Sequence, residues 1–248
     1  MAYLERHLTP WLAMTVALLS SSLIKAQPEP EPPPVTFRTL ALGLGSLADV
    51  FYDVAPGRPV SISATNSSFS APYVAPKSGL VSIYRLVPPV PPETKPQRLP
   101  VAEARVGKGG PWLVLMVPSS ENPGQVGARV VDDSWEVHPV TTMRIFNFSK
   151  RKAGIKIDES TFELPSGESQ IVKYPPNSDQ VWVRAAMMDE HGWVIRVSGP
   201  QATIPKTRST MILADGRPER DNPDTRGVTT SNLVDVAPPA ILAQLEGR

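Results

Sequence analysis

The 248-residue chain contains no cysteine. That absence excludes a disulfide scaffold, thiolate zinc sites and iron–sulfur ligation. Three histidines leave little material for metal or triad chemistry. An excess of one charge is also missing, because 25 basic and 24 acidic residues give a formal net charge of +1. Nucleic-acid binders normally carry a basic excess, so no nucleic-acid partner is expected. Aromatic residues make up only 6% of the chain. GxSxG, HExxH and phosphate-binding loop motifs are absent. No catalytic set, metal site or cofactor is therefore expected. What the chain has in abundance is proline, 29 residues or about 12%, against an ordinary usage of about 5%. Proline lacks an N–H and clashes with the preceding turn, which disfavours long helices and uninterrupted central strands.

The N-terminal 26 residues read as an export signal. A short start containing Arg6 precedes an apolar run, Trp11–Leu19, and then the small-residue segment Ser20-Ser21-Ser22-Leu23-Ile24-Lys25-Ala26. This is the layout of a secretory signal peptide, with cleavage after Ser22 or after Ala26. The run falls short of the roughly 20 residues that span a bilayer, so no transmembrane anchor is expected after cleavage. Cleavage after Ala26 removes Glu5, Arg6 and Lys25 and leaves 23 basic and 23 acidic residues. Export without cysteine points to a bacterial periplasm or extracellular space, since eukaryotic secreted domains commonly use disulfides.

Residues 27–35 form a proline-rich tether that cannot build a core. Beyond it lie short apolar runs bounded by Gly, Pro, Asn, Asp and Ser. They are Phe37–Leu42, Ala48–Val54, Val60–Ala64, Leu80–Val87, Val101–Val106, Pro111–Val117, Ala128–Val131, Thr142–Phe148, Ile155–Asp158, Gln170–Lys173, Val181–Met187, Trp193–Ser198 and Thr207–Leu213. No segment offers a sustained helical period. The expected class is all-β, with two tandem β-sandwich-like domains over 36–134 and 135–214 and a disordered tail over 215–248.

An internal duplication supports the tandem reading. Arg38–Leu42 followed by Asp49–Asp53 parallels Arg144–Phe148 followed by Gly154–Asp158. The same reading pairs Gly110–Val117 with His191–Val197, and Arg129–Asp132 with Met211–Asp215.

Several motifs invite chemistry and fail on context. Gly43-Leu44-Gly45-Ser46-Leu47-Ala48 matches a dinucleotide fingerprint, but strand-like residues follow where a helix is required. A glycine-relaxed turn is expected instead. Ser149 and Lys152 have the S-x-x-K spacing but sit between two short strands, where the lysine cannot lie beneath the hydroxyl as on a helix. Asn66 and Asn147 each begin a glycosylation acceptor pattern and are expected to be plain loop residues. His191 beside Asp189 and Glu190 fits a hairpin tip. The candidate ligand surface comprises Trp135, in its acidic loop, with Asp133 and His191.

On the strand patterns of Thr142–Asp158 and Val181–Leu213, the chain resembles uncharacterised exported bacterial proteins built of β-sandwich modules. The resemblance implies a sandwich fold and carries over no functional residue. The expected function is a non-enzymatic binding or structural component of a bacterial envelope or extracellular assembly, whose partner is another envelope protein or a glycan. The alternatives are a carbohydrate-binding module and a secreted hydrolase of polysaccharide or peptide.

Overall fold

Sixteen strands and one helix make up the regular structure of the computed structural model, which describes residues 33–246 apart from 93, 120–124, 177 and 220–221. The export signal and nearly all of the tether lie outside the described residues. The first eight strands are β1 (Thr36–Ala41), β2 (Leu47–Ala55), β3 (Arg58–Ala64), β4 (Tyr73–Val74), β5 (Leu80–Val87), β6 (Gln97–Arg105), β7 (Trp112–Pro118) and β8 (Val126–Asp132). The second eight are β9 (Thr142–Asn147), β10 (Ala153–Ile157), β11 (Ser160–Leu164), β12 (Ser169–Lys173), β13 (Gln180–Asp189), β14 (Gly192–Ala202), β15 (Thr207–Glu219) and β16 (Asn222–Val236). Helix α1 (Pro239–Glu246) follows. Each expected strand falls on an observed one, and β4, β11 and β16 are additional.

The strands form four four-stranded sheets, and the second half repeats the order of the first. The first half contains β4-β1-β7-β8 and β3-β2-β5-β6. Adding eight to each number gives the other two sheets, β12-β9-β15-β16 and β11-β10-β13-β14. The one parallel pairing of each half repeats as well, β1 with β7 and β9 with β15. Register aligns Arg38, opposite Leu113, with Arg144, opposite Thr210. The match of β1–β2 to β9–β10 seen in the sequence coincides with this repeat, but its later part does not. The counterpart of β7 is β15 rather than the Trp193 strand β14, and that of β8 is β16 rather than Met211–Asp215. A shared tryptophan misaligned the strands because side-chain identity at one position does not encode pairing order.

Alternation of side chains places the sheets in four layers. Phe37, Ala41, Val114 and Met116 face β2, β3 and β5 in one core. Met143, Ile145, Met211 and Leu213 face β10 and β13 in a second. The opposite faces of the same strands meet in a third, where Leu40, Leu42, Leu113 and Leu115 pack on Phe146, Ile212 and Leu233. The two inner sheets are thus covered on both sides, and all six residues of β9 are buried. Such strands commonly read as continuous apolar runs, but the polar members of β9, Thr142, Arg144 and Asn147, are buried with hydrogen-bond partners. Because of this shared layer, residues from Pro34 onward cluster as one compact unit. The expected boundary at 134/135 falls in the β8–β9 connection.

Within 215–248, where a tail is expected, the structure describes a long strand and a short helix. There β16 pairs antiparallel with β15, from Asp215 opposite Val228 to Thr207 opposite Val236, and α1 follows. Leu233 enters the shared core. Its sequence, Val228-Thr229-Thr230-Ser231-Asn232, is polar because β16 is an edge strand, so hydropathy gave no signal. Between β1 and β2, Gly43 and Gly45 adopt φ of 69° and 70°, the left-handed region open to glycine. This is the expected turn, with β2 rather than a helix after it.

Because the shared core joins the two halves, Phe146→Ala is expected to lower the stability of the whole unit by about 3–5 kcal/mol. Calorimetry of the unaltered chain should show one cooperative transition. Two separate transitions, only one of them shifted by the substitution, would contradict the shared layer.

Candidate functional site

The densest polar cluster lies at the junction of the halves. Antiparallel pairing places Arg208 opposite Asp235 across β15 and β16. Asp133 follows β8 and donates its backbone N–H to Pro111 at 2.9 Å. Counting from the aligned positions Leu113 and Thr210, Asp133 and Asp235 are equivalent in the two halves. Arg38, from β1, reaches both carboxylates, at 2.5 Å to Asp133 and 2.8 Å to Asp235. Arg208 does the same at 3.0 and 2.9 Å. The Arg208 and Asp133 side chains are each only 3% exposed, so the pair sits away from water.

The surrounding groups complete the network. Arg208 Nη1 donates to the carbonyls of Asp133 and His138, both at 3.0 Å. Arg144 Nη1 donates to the Asp132 carbonyl at 2.8 Å. The Trp135 ring lies 3.8 Å from the Arg208 guanidinium carbon, a cation–π contact. For Asp235, burial would raise the pKa, but the hydrogen bond and charge of Arg38, with those of Arg208, hold it below the usual carboxylate range. His138 is buried beside Arg144 and Arg208, and burial first, then those two cations, push it down to about 3. The imidazole is therefore neutral at ordinary pH. Two guanidiniums and two carboxylates saturate each other here, which suits a structural clamp.

Asp133 and Trp135 both contact Arg208, whereas His191 lies in a separate turn. Asp133 is consumed in the clamp. Trp135 also lines a groove of about 550 Å³ between the 134–140 connection and α1, with Glu136, Pro139, Val140, Ile241 and Leu245. His191 lies in the β13–β14 turn, where its N–H donates to Asp189 Oδ1 at 3.0 Å. The other Asp189 oxygen faces Arg196 at 3.8 Å. Ser149 is buried, its hydroxyl held by the Arg151 backbone. Lys152 instead pairs with Glu163 at 2.8 Å. Asn147 is buried, its amide donating to the carbonyls of Arg151 and Leu164, so it is closed to glycosylation.

Sequence reasoning missed a second groove, of about 640 Å³, on the first half. In it Tyr84 donates to Asp53 Oδ1 at 2.6 Å, and Arg98 grips the same carboxylate at 2.7 and 3.3 Å while lying over the Tyr84 ring. Burial and the Asp53 hydrogen bond push Tyr84 up to about 12. The Tyr84 bond, then Arg98, lower Asp53. Arg98 and Asp53 are 45 residues apart, across the proline-rich 88–96 connection, so no local spacing announced them. Among the described residues, no three His, Asp or Glu side chains gather as a metal-binding group. No helix of the described residues is long and apolar enough to cross a membrane.

Also absent from the sequence-level candidates is the outer face of β11-β10-β13-β14. Trp182, Met188, Trp193 and Ile195 lie exposed on it, with Trp182 at 48% and Trp193 at 42%. No protein-family model matches the chain, and no curated protein matches it in sequence.

Asp133→Asn is expected to destabilise the protein by about 3–5 kcal/mol, because it leaves the buried Arg208 and the partly buried Arg38 short of a counter-charge. Denaturant melts check this, and a loss under 1 kcal/mol would show that the clamp holds nothing.

His138 predicts an early acid sensitivity. Its folded pKa, about 3, lies below the ordinary 6.5. Between these values the unfolded chain binds the extra proton, so stability is full above about pH 6.5 and declines toward pH 3. Melting temperature should already drop between about pH 6.5 and 5, before ordinary carboxylates titrate, and His138→Gln should flatten that portion of the curve. An unchanged slope in the variant would assign the effect elsewhere.

Proposed function

We propose that the protein is an exported, non-enzymatic component of a bacterial envelope or extracellular assembly, acting by binding through a rigid scaffold of two tandem β-sandwich domains. The repeated eight-strand order supports the tandem reading. The observation that carries the binding role is a contrast between the interior and one surface. At the junction Arg38, Arg208, Asp133 and Asp235 are paired with one another, whereas large aromatic and aliphatic side chains stand exposed on the outer sheet of the second half. Folding gains nothing from leaving two tryptophans in water, and exposed apolar patches mark interaction sites.

A second reading is carbohydrate recognition at the Trp135 groove, favoured by an indole lining a cavity beside Glu136 and Gln244. Trp135→Ala that leaves glycan-array binding unchanged would reject that site.

Fractionation of bacteria expressing the full chain tests the main reading. The protein is expected in periplasm or medium, lacking its first 22 or 26 residues and co-migrating with an envelope component in size exclusion. An uncleaved, free monomer in the cytoplasm would overturn it.

A further inference from the structure

We propose that the outer face of β11-β10-β13-β14 binds an acidic polysaccharide, with Trp182 and Trp193 as stacking platforms and Lys156 and Arg184 as the carboxylate-binding pair between them. The inference rests on reading the protein as an exported binder and names the chemistry of its partner.

Strand alternation builds the face. On β13, Val181, Val183, Ala185 and Met187 are buried, which turns Trp182, Arg184, Ala186 and Met188 outward. On β10, Lys156 is exposed between the buried Ile155 and Ile157. Lys156 is directly opposite Arg184, and Gly154 is opposite Ala186. Trp193 starts on β14 opposite Met188, yet its ring reaches β10. Three atoms of its six-membered ring lie 3.1–3.5 Å from where a Gly154 Cβ would stand. The bare glycine backbone lets the indole lie down across the sheet with one side open to solvent. Trp182 is oriented by its own bond, Nε1–H to Ser198 Oγ at 3.2 Å. Both rings are thus held in place and still exposed. From Trp182 to the Ala186–Gly154 row is four residues, about 13 Å at ordinary strand rise, longer than one sugar ring. The cations occupy the middle of that span.

Two cations directly opposite one another on a sheet are destabilising. Neither Lys156 nor Arg184 forms an ion pair with a described side chain, and three of the nearby acids are engaged elsewhere. Glu163 binds Lys152, Asp189 faces Arg196, and Asp158 accepts the Trp182 backbone N–H. An anion placed between the cations would relieve the repulsion. A dry protein interface fits less well at Lys156, because lysine is depleted at interface centres. Nucleic acid would require a broader basic field than a chain of net charge +1 provides. A polymer with flat apolar ring faces and regularly placed carboxylates matches both the indoles and the cations.

Affinity electrophoresis of the exported chain, in gels containing polygalacturonate, alginate or a neutral galactan, tests the assignment. Retardation is expected with the two acidic polymers, fading as salt rises, and not with the galactan. Trp182→Ala and Trp193→Ala should each weaken binding about tenfold or more. Arg184→Glu is the decisive variant. It exchanges a cross-strand repulsion for an ion pair, so the melting temperature should hold or rise while retardation is lost. Trp193→Phe, which keeps a ring, should retain most of the binding, and it guards against a misfolded alanine variant.

No retardation by either acidic polymer, equal retardation by the galactan, or full binding by Arg184→Glu would overturn the proposal. Tighter binding of a thymidine oligonucleotide than of polygalacturonate would do so too. Failure on the acidic polymers with continued co-migration with an envelope component would sink this inference alone. A cytoplasmic, uncleaved monomer would instead sink the reading beneath it.

Discussion

Two arginines and two aspartates, closed on one another at the junction, constrain the architecture of this protein. Arg38 and Arg208 each contact both Asp133 and Asp235, so neither carboxylate can leave without exposing two guanidiniums to a desolvated site. The apolar layer beside them, Leu40, Leu113, Leu115, Phe146 and Ile212, offers attraction without direction. Guanidinium–carboxylate pairing is directional. The first fastens the inner sheets together, and the second fixes their register. Trp135 over Arg208 and neutral His138 behind it seal the cluster, which is why Asp133 and Trp135 act here as structure before they act as surface.

The clamp makes sense of the repeat. Asp133 and Asp235 are equivalent positions of the two halves, as are Arg38 and Arg144, yet the halves use them unequally. Arg38 turns to both carboxylates, whereas Arg144 donates to the Asp132 backbone. Arg208 has no counterpart, because its equivalent in the first half is Pro111. The clamp also explains why β16 is a strand despite its polar sequence: it delivers Asp235 to the clamp and Leu233 to the shared core.

Layering also decides where recognition can occur. Both inner sheets are covered on both faces, which leaves the outer sheets, the strand ends and the connections. On the outer sheet of the first half, Asp53, Tyr84 and Arg98 close into a local set. On that of the second half, the tryptophans and the Lys156–Arg184 pair stay open. The two otherwise repeated halves thus differ in what their outer sheets expose, tryptophans and a cation pair on one and Leu86 and Leu99 on the other.

The sequence alone determined the strands that have an apolar or β-branched face. It also determined the glycine turn at 43–45 and the equivalence of β1–β2 with β9–β10, because these are set by side-chain alternation and backbone freedom within a few residues. It picked out Trp135, Asp133 and His191 as polar or aromatic residues in loops, but loop composition does not say which of them is buried. Tertiary structure decided that β7 repeats as β15, that the polar β16 is a strand, and that Asp133 belongs to a clamp. Those outcomes depend on partners far along the chain, such as Arg38 with Asp235, 197 residues apart. Edge pairing and charge compensation of that kind leave no local period to read. The open face of β13 and β14 was hidden for the same reason, since a tryptophan in a strand is apolar whichever side it faces, and only the packed inner layer shows which side is left in water.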